Sequence, residues 1–98
     1  RRLGALKEVA MNKLKFRKEG NRFYHFLYTE DKEYMIEREE FEGPYKTWWC
    51  VSKRETDGRY YYYRVISPYF KLRADAMAWV CEHYYPGWKL QKKLTKFK

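Results

Sequence analysis

Four consecutive tyrosines between two arginines, RYYYYRVI at residues 59–66, follow a second aromatic and β-branched run, KTWWCVSK at 46–53. The segment RETDG joins them, and its Asp57-Gly58 pair is a strong short-range signal for a tight hairpin turn. Successive side chains of a strand point to opposite faces. Tyr60, Tyr62, Arg64 and Ile66 therefore share one face of the second strand, and Tyr61, Tyr63 and Val65 the other. In the first strand Trp49 and Val51 lie with Thr47 and Lys53, while Trp48, Cys50 and Ser52 lie opposite. A single helix covers only one face. The expectation is that it covers Trp49, Val51, Tyr61, Tyr63 and Val65, leaving Trp48, Tyr60, Tyr62 and Arg64 outward.

That helix is readable downstream. Ser67-Pro68 ends the second strand, and FKLRADAMAWVCEHYY follows, with Ala74, Ala76 and Ala78 favouring helix and Pro86-Gly87 stopping it. It starts either at Ser67, as an N-cap with Pro68 in the first helical position, or near Leu72 after an extended link. Asp75 and Glu82 are seven apart and form a narrow polar stripe. The rest is apolar enough for burial, with Ala76, Met77, Trp79, Val80 and Tyr84 predicted to pack on the sheet.

Upstream, Leu3, Leu6, Ala10 and Leu14 have helical spacing, which suggests a short amphipathic helix or an extension over residues 1–12. Met11 opens MNKLKF, which reads as a plausible start and would make residues 1–10 an expression remnant or an internal part of a longer chain. Strands are expected near 13–17 and 22–28 around Gly20, with a third near Tyr34–Glu37 after a charged turn at Glu30–Lys32, and a loop at 43–45. The fold class is α+β: an antiparallel sheet of three to five strands on one C-terminal helix. It is read as a single domain, with sheet and helix over 13–88 and a basic tail over 89–98.

Charge is unevenly distributed. The chain carries 22 basic and 13 acidic residues, a net +9. Residues 29–42 hold seven acidic and two basic groups, and read as a solvated hairpin that either stands away from any polyanion contact or meets a basic partner. Aromatics make up 21% of the chain, more than a core of this size requires. Cations suit phosphates, and flat rings suit unstacked bases. No run approaches the ~18 apolar residues of a membrane span, and the N-terminus lacks the apolar stretch of a secretion signal. Two cysteines, Cys50 and Cys81, are too few for a disulfide framework and read as free buried thiols in a reducing, intracellular compartment.

Catalytic patterns are weak. Cys81 and His83 are two apart on a helix and point apart, which defeats both zinc binding with Cys50 and a nucleophile–base pair. Glu39, Glu40 and Glu42 have no second acidic motif beside them for a two-metal site. There is no phosphate-binding glycine loop. Trp88 is expected to fold back as a plug on the helix end. The chain therefore reads as no enzyme, with no cofactor and no metal.

The function expected is non-catalytic binding of nucleic acid, RNA or single strands ahead of duplex DNA, through Trp48, Lys53, Arg54, Arg59, Tyr60, Tyr62, Arg64, Lys92 and Lys93. Of these, Lys53, Arg54 and Arg59 are expected to be solvated. A small basic subunit of a ribonucleoprotein and a phage or mobile-element regulator both fit, and a larger protein assembly is a further possible partner. The alternative is a protein-interaction module, an inhibitor or adaptor, that docks the same aromatics into a partner.

Residues 46–85 run aromatic strand, DG turn, aromatic strand, phenylalanine, then an alanine-rich helix (YFKLRADAMAWV). In that order they resemble three-strand-plus-helix nucleic-acid modules, namely ethylene-response-factor-type domains and the arm-binding domains of phage-type integrases. The resemblance implies reading of a major groove by alternate residues of 46–53 and 59–66. The chain departs from it in having no Thr or Ser cap before Leu72 and in strands much richer in tyrosine and tryptophan.

Overall fold

The computed structural model describes residues 12–20, 25–40 and 47–96. The predicted N-terminal helix and the loop at 43–45 lie outside these, except that Lys13–Leu14 form a short strand, β1. Then come β2 (Phe16–Gly20), β3 (His25–Thr29), β4 (Tyr34–Glu40), β5 (Thr47–Thr56), β6 (Tyr61–Val65), α1 (Arg73–Tyr84), β7 (Lys89–Leu90) and β8 (Thr95–Lys96). Strands β2 to β6 form an antiparallel meander, and β8 adds to β2 in parallel, giving the order β6-β5-β4-β3-β2-β8. β1 and β7 pair in parallel beside it. The α+β class is as expected. The expected tail at 89–98 is instead partly sheet, tied down by β7 and β8.

Local chemistry accounts for the turns. Between β3 and β4, the Lys32 amide donates to the Thr29 carbonyl at 2.8 Å, and Lys32 takes a positive φ of 61°. The Thr29 hydroxyl is buried but satisfied: it donates to Asp31 Oδ1 at 2.6 Å and accepts from the Tyr34 amide at 3.2 Å. After β6, Ser67 Oγ accepts the Val51 amide at 2.8 Å, replacing a ladder bond where the strand ends at Pro68. Phe70 then returns to exchange two 2.7 Å backbone bonds with Trp49.

α1 begins at Arg73, with extended Leu72 as an N-cap that makes no side-chain bond. The helix therefore starts after an extended link and not at Ser67. It ends in a turn where the Trp88 amide reaches the Tyr85 carbonyl at 3.0 Å. Pro86 and Gly87 occupy the centre of that turn, and Gly87's φ of 86° suits the residue after a turn proline.

The core lies between α1 and one face of the sheet. Leu14, Phe16, Leu27, Tyr34, Ile36 and Val51 meet Ala76, Met77, Val80 and Cys81. Each large aliphatic buried in this way contributes about 1.5–3 kcal/mol. Asp75 and Glu82 are exposed, as the stripe predicted. Tyr84 is exposed too, but stacks on Tyr34 with centroids 4.5 Å apart. Trp88 is only a partial plug: it remains 41% exposed and packs edge-on to Tyr85 at 5.2 Å.

Candidate nucleic-acid interface

The register of β5 with β6 corrects the expected division of faces. Thr56 pairs with Tyr61, Arg54 with Tyr63 and Ser52 with Val65. Directly opposed residues point to the same side of a sheet. Tyr62 and Arg64 therefore lie on the helix side with Lys53 and Glu55, whereas Tyr61, Tyr63 and Val65 lie on the second face with Trp48, Cys50, Ser52 and Arg54. α1 thus covers Trp49 and Val51 but not Tyr61, Tyr63 or Val65. Trp48 does not share a face with Tyr62 and Arg64.

A four-residue loop, Asp57–Tyr60, makes the turn. Gly58 adopts a φ of 102° there, and the Asp57 amide donates to the Tyr60 carbonyl at 3.2 Å. Tyr60 is 64% exposed at its end, Tyr61 61% and Tyr62 45%. Tyr60 and Tyr62 are therefore at the surface and not in the core.

On the second face the tyrosines make a bridge. Tyr28 on β3 and Tyr63 on β6 are separated by two strands, yet their centroids lie 5.7 Å apart, edge to face. Met35 and Ser52, on those intervening strands, are buried. The Tyr63 hydroxyl donates to the Lys32 carbonyl at 2.8 Å. Burial pushes the Tyr28 and Tyr63 phenols above their usual range.

Two of the predicted cations are already ion-paired. Arg54 is half-buried, meets Glu33 at 2.7 Å and places its guanidinium 5.5 Å from the Tyr61 centroid. Arg64 makes a bidentate pair with Glu55 at 2.8 and 2.9 Å. Those bonds, chiefly, hold the Glu55 carboxyl below its usual value. Lys53 and Arg64 are direct cross-strand partners, an unfavourable like-charge pair that Glu55 offsets. Lys53 is half-buried, so of the three cations expected to be solvated only Arg59 is fully exposed. The acidic segment supplies Glu33, and so contacts the aromatic hairpin instead of standing apart from it.

Two hollows collect what remains. At the hairpin tip Arg54, Arg59, Tyr60 and Tyr61 join Glu33 and Glu55 around about 350 Å³. Below it, Trp49, Leu72, Arg73, Met77, Leu90 and Lys92 line a groove of about 400 Å³. Arg73 stands over the Trp49 ring at 6.0 Å, and Lys71 approaches the Trp48 ring at 5.7 Å. Lys93 is exposed beside Lys92 in the segment between β7 and β8. Trp49, Lys71 and Arg73 were missed from sequence. The signal for the two cations is that residues 58–74 hold four basic residues and no acidic one.

Cys50 is buried on the second face, and its Sγ and the carboxylates of Glu37 and Glu39 all lie within 4.8 Å of one another. Burial, reinforced by Glu39 and Glu37, pushes the thiol up to about 11. Burial and a hydrogen bond to Glu39 also raise the Glu37 carboxyl. At neutral pH the Cys50 thiol therefore holds a proton that a metal would have to displace. Cys81 is likewise a free buried thiol and donates to the Trp88 carbonyl at 3.4 Å.

Among the described residues no helix is long and apolar enough to cross a membrane. No protein-family model matches the chain, and neither a curated protein nor a solved structure is significantly similar to it.

Proposed function

We propose that the protein is a non-catalytic nucleic-acid-binding domain that holds a single strand in the groove over Trp49. The reading is carried by the convergence of Arg73, from the acid-free stretch 58–74, and Lys92, from the acid-free stretch 89–98, on one tryptophan-lined groove. Exposed Lys93 extends the cationic rim, while Lys71 lies over Trp48 on the opposite face of the sheet. Phosphates take such cations, and a base stacked on an aromatic ring contributes about 1–3 kcal/mol. RNA or single-stranded DNA suits these flat rings better than a stacked duplex. A ribonucleoprotein subunit and a phage-type regulator are both settings for such a module.

The test is retention of mixed RNA and DNA pools by the purified protein at two salt concentrations. Binding is expected to weaken steeply with salt. Replacing both Arg73 and Lys92 by alanine should flatten the log–log salt slope by about 1.4, since each single-strand phosphate contact contributes roughly 0.7. No retention at low salt, or an unchanged slope in the double variant, rejects the reading.

A further inference from the structure

β6 is the outer strand of the sheet, and among the described residues nothing pairs with its far side. Its backbone directions follow from two bonds. The Ile66 amide donates to the Val51 carbonyl at 2.9 Å, and the Asp57 amide donates to the Tyr60 carbonyl at 3.2 Å. Both belong to the same antiparallel register as the Lys53–Arg64 and Glu55–Tyr62 pairs. In such a ladder a residue's N–H and C=O point the same way, and alternate residues point oppositely. Residues 60, 62, 64 and 66 thus turn toward β5, so Tyr61, Tyr63 and Val65 present their N–H and C=O groups outward.

Such edges are usually blunted by proline, a bulge or an inward charge. YYYRV has no proline, its pairing with β5 is unbroken, and its one charge is held sideways by Glu55. The border of the edge is cationic. Arg59 stands at its turn end, and Lys71 and Arg73 stand at the other, beyond the point where Phe70 rejoins Trp49. None of these three has a carboxylate partner among the described residues.

We propose that the β6 edge accepts an extended acidic peptide from a partner protein as an added strand. The three outward residues supply the main-chain bonds, and Tyr60 to Tyr63 flank alternate peptide side chains. The bordering cations select aspartate and glutamate over lysine. A second copy of this chain is a poorer occupant, because it brings two acid-free basic borders together on chains that each carry +9. The β6 backbone edge is distinct from the Trp49 groove, although Arg73 borders both, and the proposal stands whether or not that groove binds a nucleic acid.

The probe is a fluorescein-labelled ten-residue peptide alternating valine and aspartate, with a valine–lysine peptide as control. The acidic peptide should bind and slow hydrogen exchange at the amides of Tyr61, Tyr63 and Val65. Tyr62 and Arg64, already bonded to β5, should change little. Val65→Pro removes one outward donor without touching the ladder to β5, and should weaken binding on the order of tenfold. Should that variant fail to fold, the exchange pattern of the unaltered protein decides. Failure of the acidic peptide to bind, equal binding of the lysine peptide, or protection elsewhere overturns the proposal. So does protection of the same three amides by oligo(dT) but not by the peptide, or by raising protein concentration alone.

Discussion

The phenol of Tyr85, just past the end of α1, donates to Asp31 Oδ2 at 2.6 Å across 54 positions of chain. The other oxygen of Asp31 receives the Thr29 hydroxyl at 2.6 Å and the Glu33 amide at 3.0 Å. One carboxylate therefore fastens the helix end to the β3–β4 turn. Partial burial alone would raise its titration, but the bonds from Thr29, Tyr85 and Glu33 outweigh that and hold it below the usual carboxylate range.

Tyr85→Phe should cost about 1 kcal/mol at neutral pH, the usual worth of a hydrogen bond. A carboxyl depressed in the fold stabilises above its ordinary value of 3.8 and loses that contribution as pH falls through its folded value. The difference between the native protein and Tyr85→Phe should accordingly shrink below about pH 4. Urea denaturation across that range, with an NMR titration of Asp31, checks both points.

Cys50 should resist alkylation in the folded protein at pH 8 and react once urea exposes it, because its thiol is buried and stays protonated. Its titration rises from an ordinary 9.0 to about 11 on folding. Below 9 the stabilisation is fully present; between 9 and 11 the unfolded chain gives up a proton that the fold retains, so stability declines as pH rises. Tyr28, Tyr34, Tyr63 and Tyr85 are raised chiefly by burial and act in the same direction. A Cys50→Ala variant should therefore show a shallower alkaline decline, and the difference isolates the thiol.

Ile36 is fully buried between the sheet and α1. Ile36→Ala should cost about 2–5 kcal/mol through lost burial and a residual cavity. Tyr60→Ala and Tyr62→Ala, at exposed positions, should each stay within about 0.5 kcal/mol of the native protein. Chemical denaturation of the three variants measures this; a large loss at either tyrosine would place its ring in the core.

Glu55→Gln leaves Arg64 opposite Lys53 without a carboxylate. The pair is exposed, so the loss should be small and should diminish in high salt. Denaturation at two salt concentrations tests it.

The division between what was legible and what was not follows the range of the interactions. The hairpin was readable because Asp57-Gly58 is a local signal, and α1 because Ala74 to Ala78 and Pro86-Gly87 lie within one segment. The faces of that hairpin were misassigned although the turn contained the answer. In either a two-residue or the observed four-residue loop, opposed positions in this hairpin combine an odd with an even number, so Trp49 cannot share a face with Tyr61. Ion pairing was hidden for another reason. Glu33 reaches Arg54 only through the β4–β5 register, and nothing near Arg54 in sequence announces it. The C-terminal segment QKKLTK is too polar to look like sheet, and its β8 strand exists because β2 leaves an edge to be paired.

That parallel seam has a consequence for how the protein is made. During synthesis the ribosome releases β1 and β2 among the earliest parts of this domain, and their partners β7 and β8 among the last. The meander and helix can assemble while β1 and the outer edge of β2 still lack a neighbour, but completion waits for the lysine-rich residues 89–96 to emerge. Those residues act as a clasp that closes after the rest of the sheet.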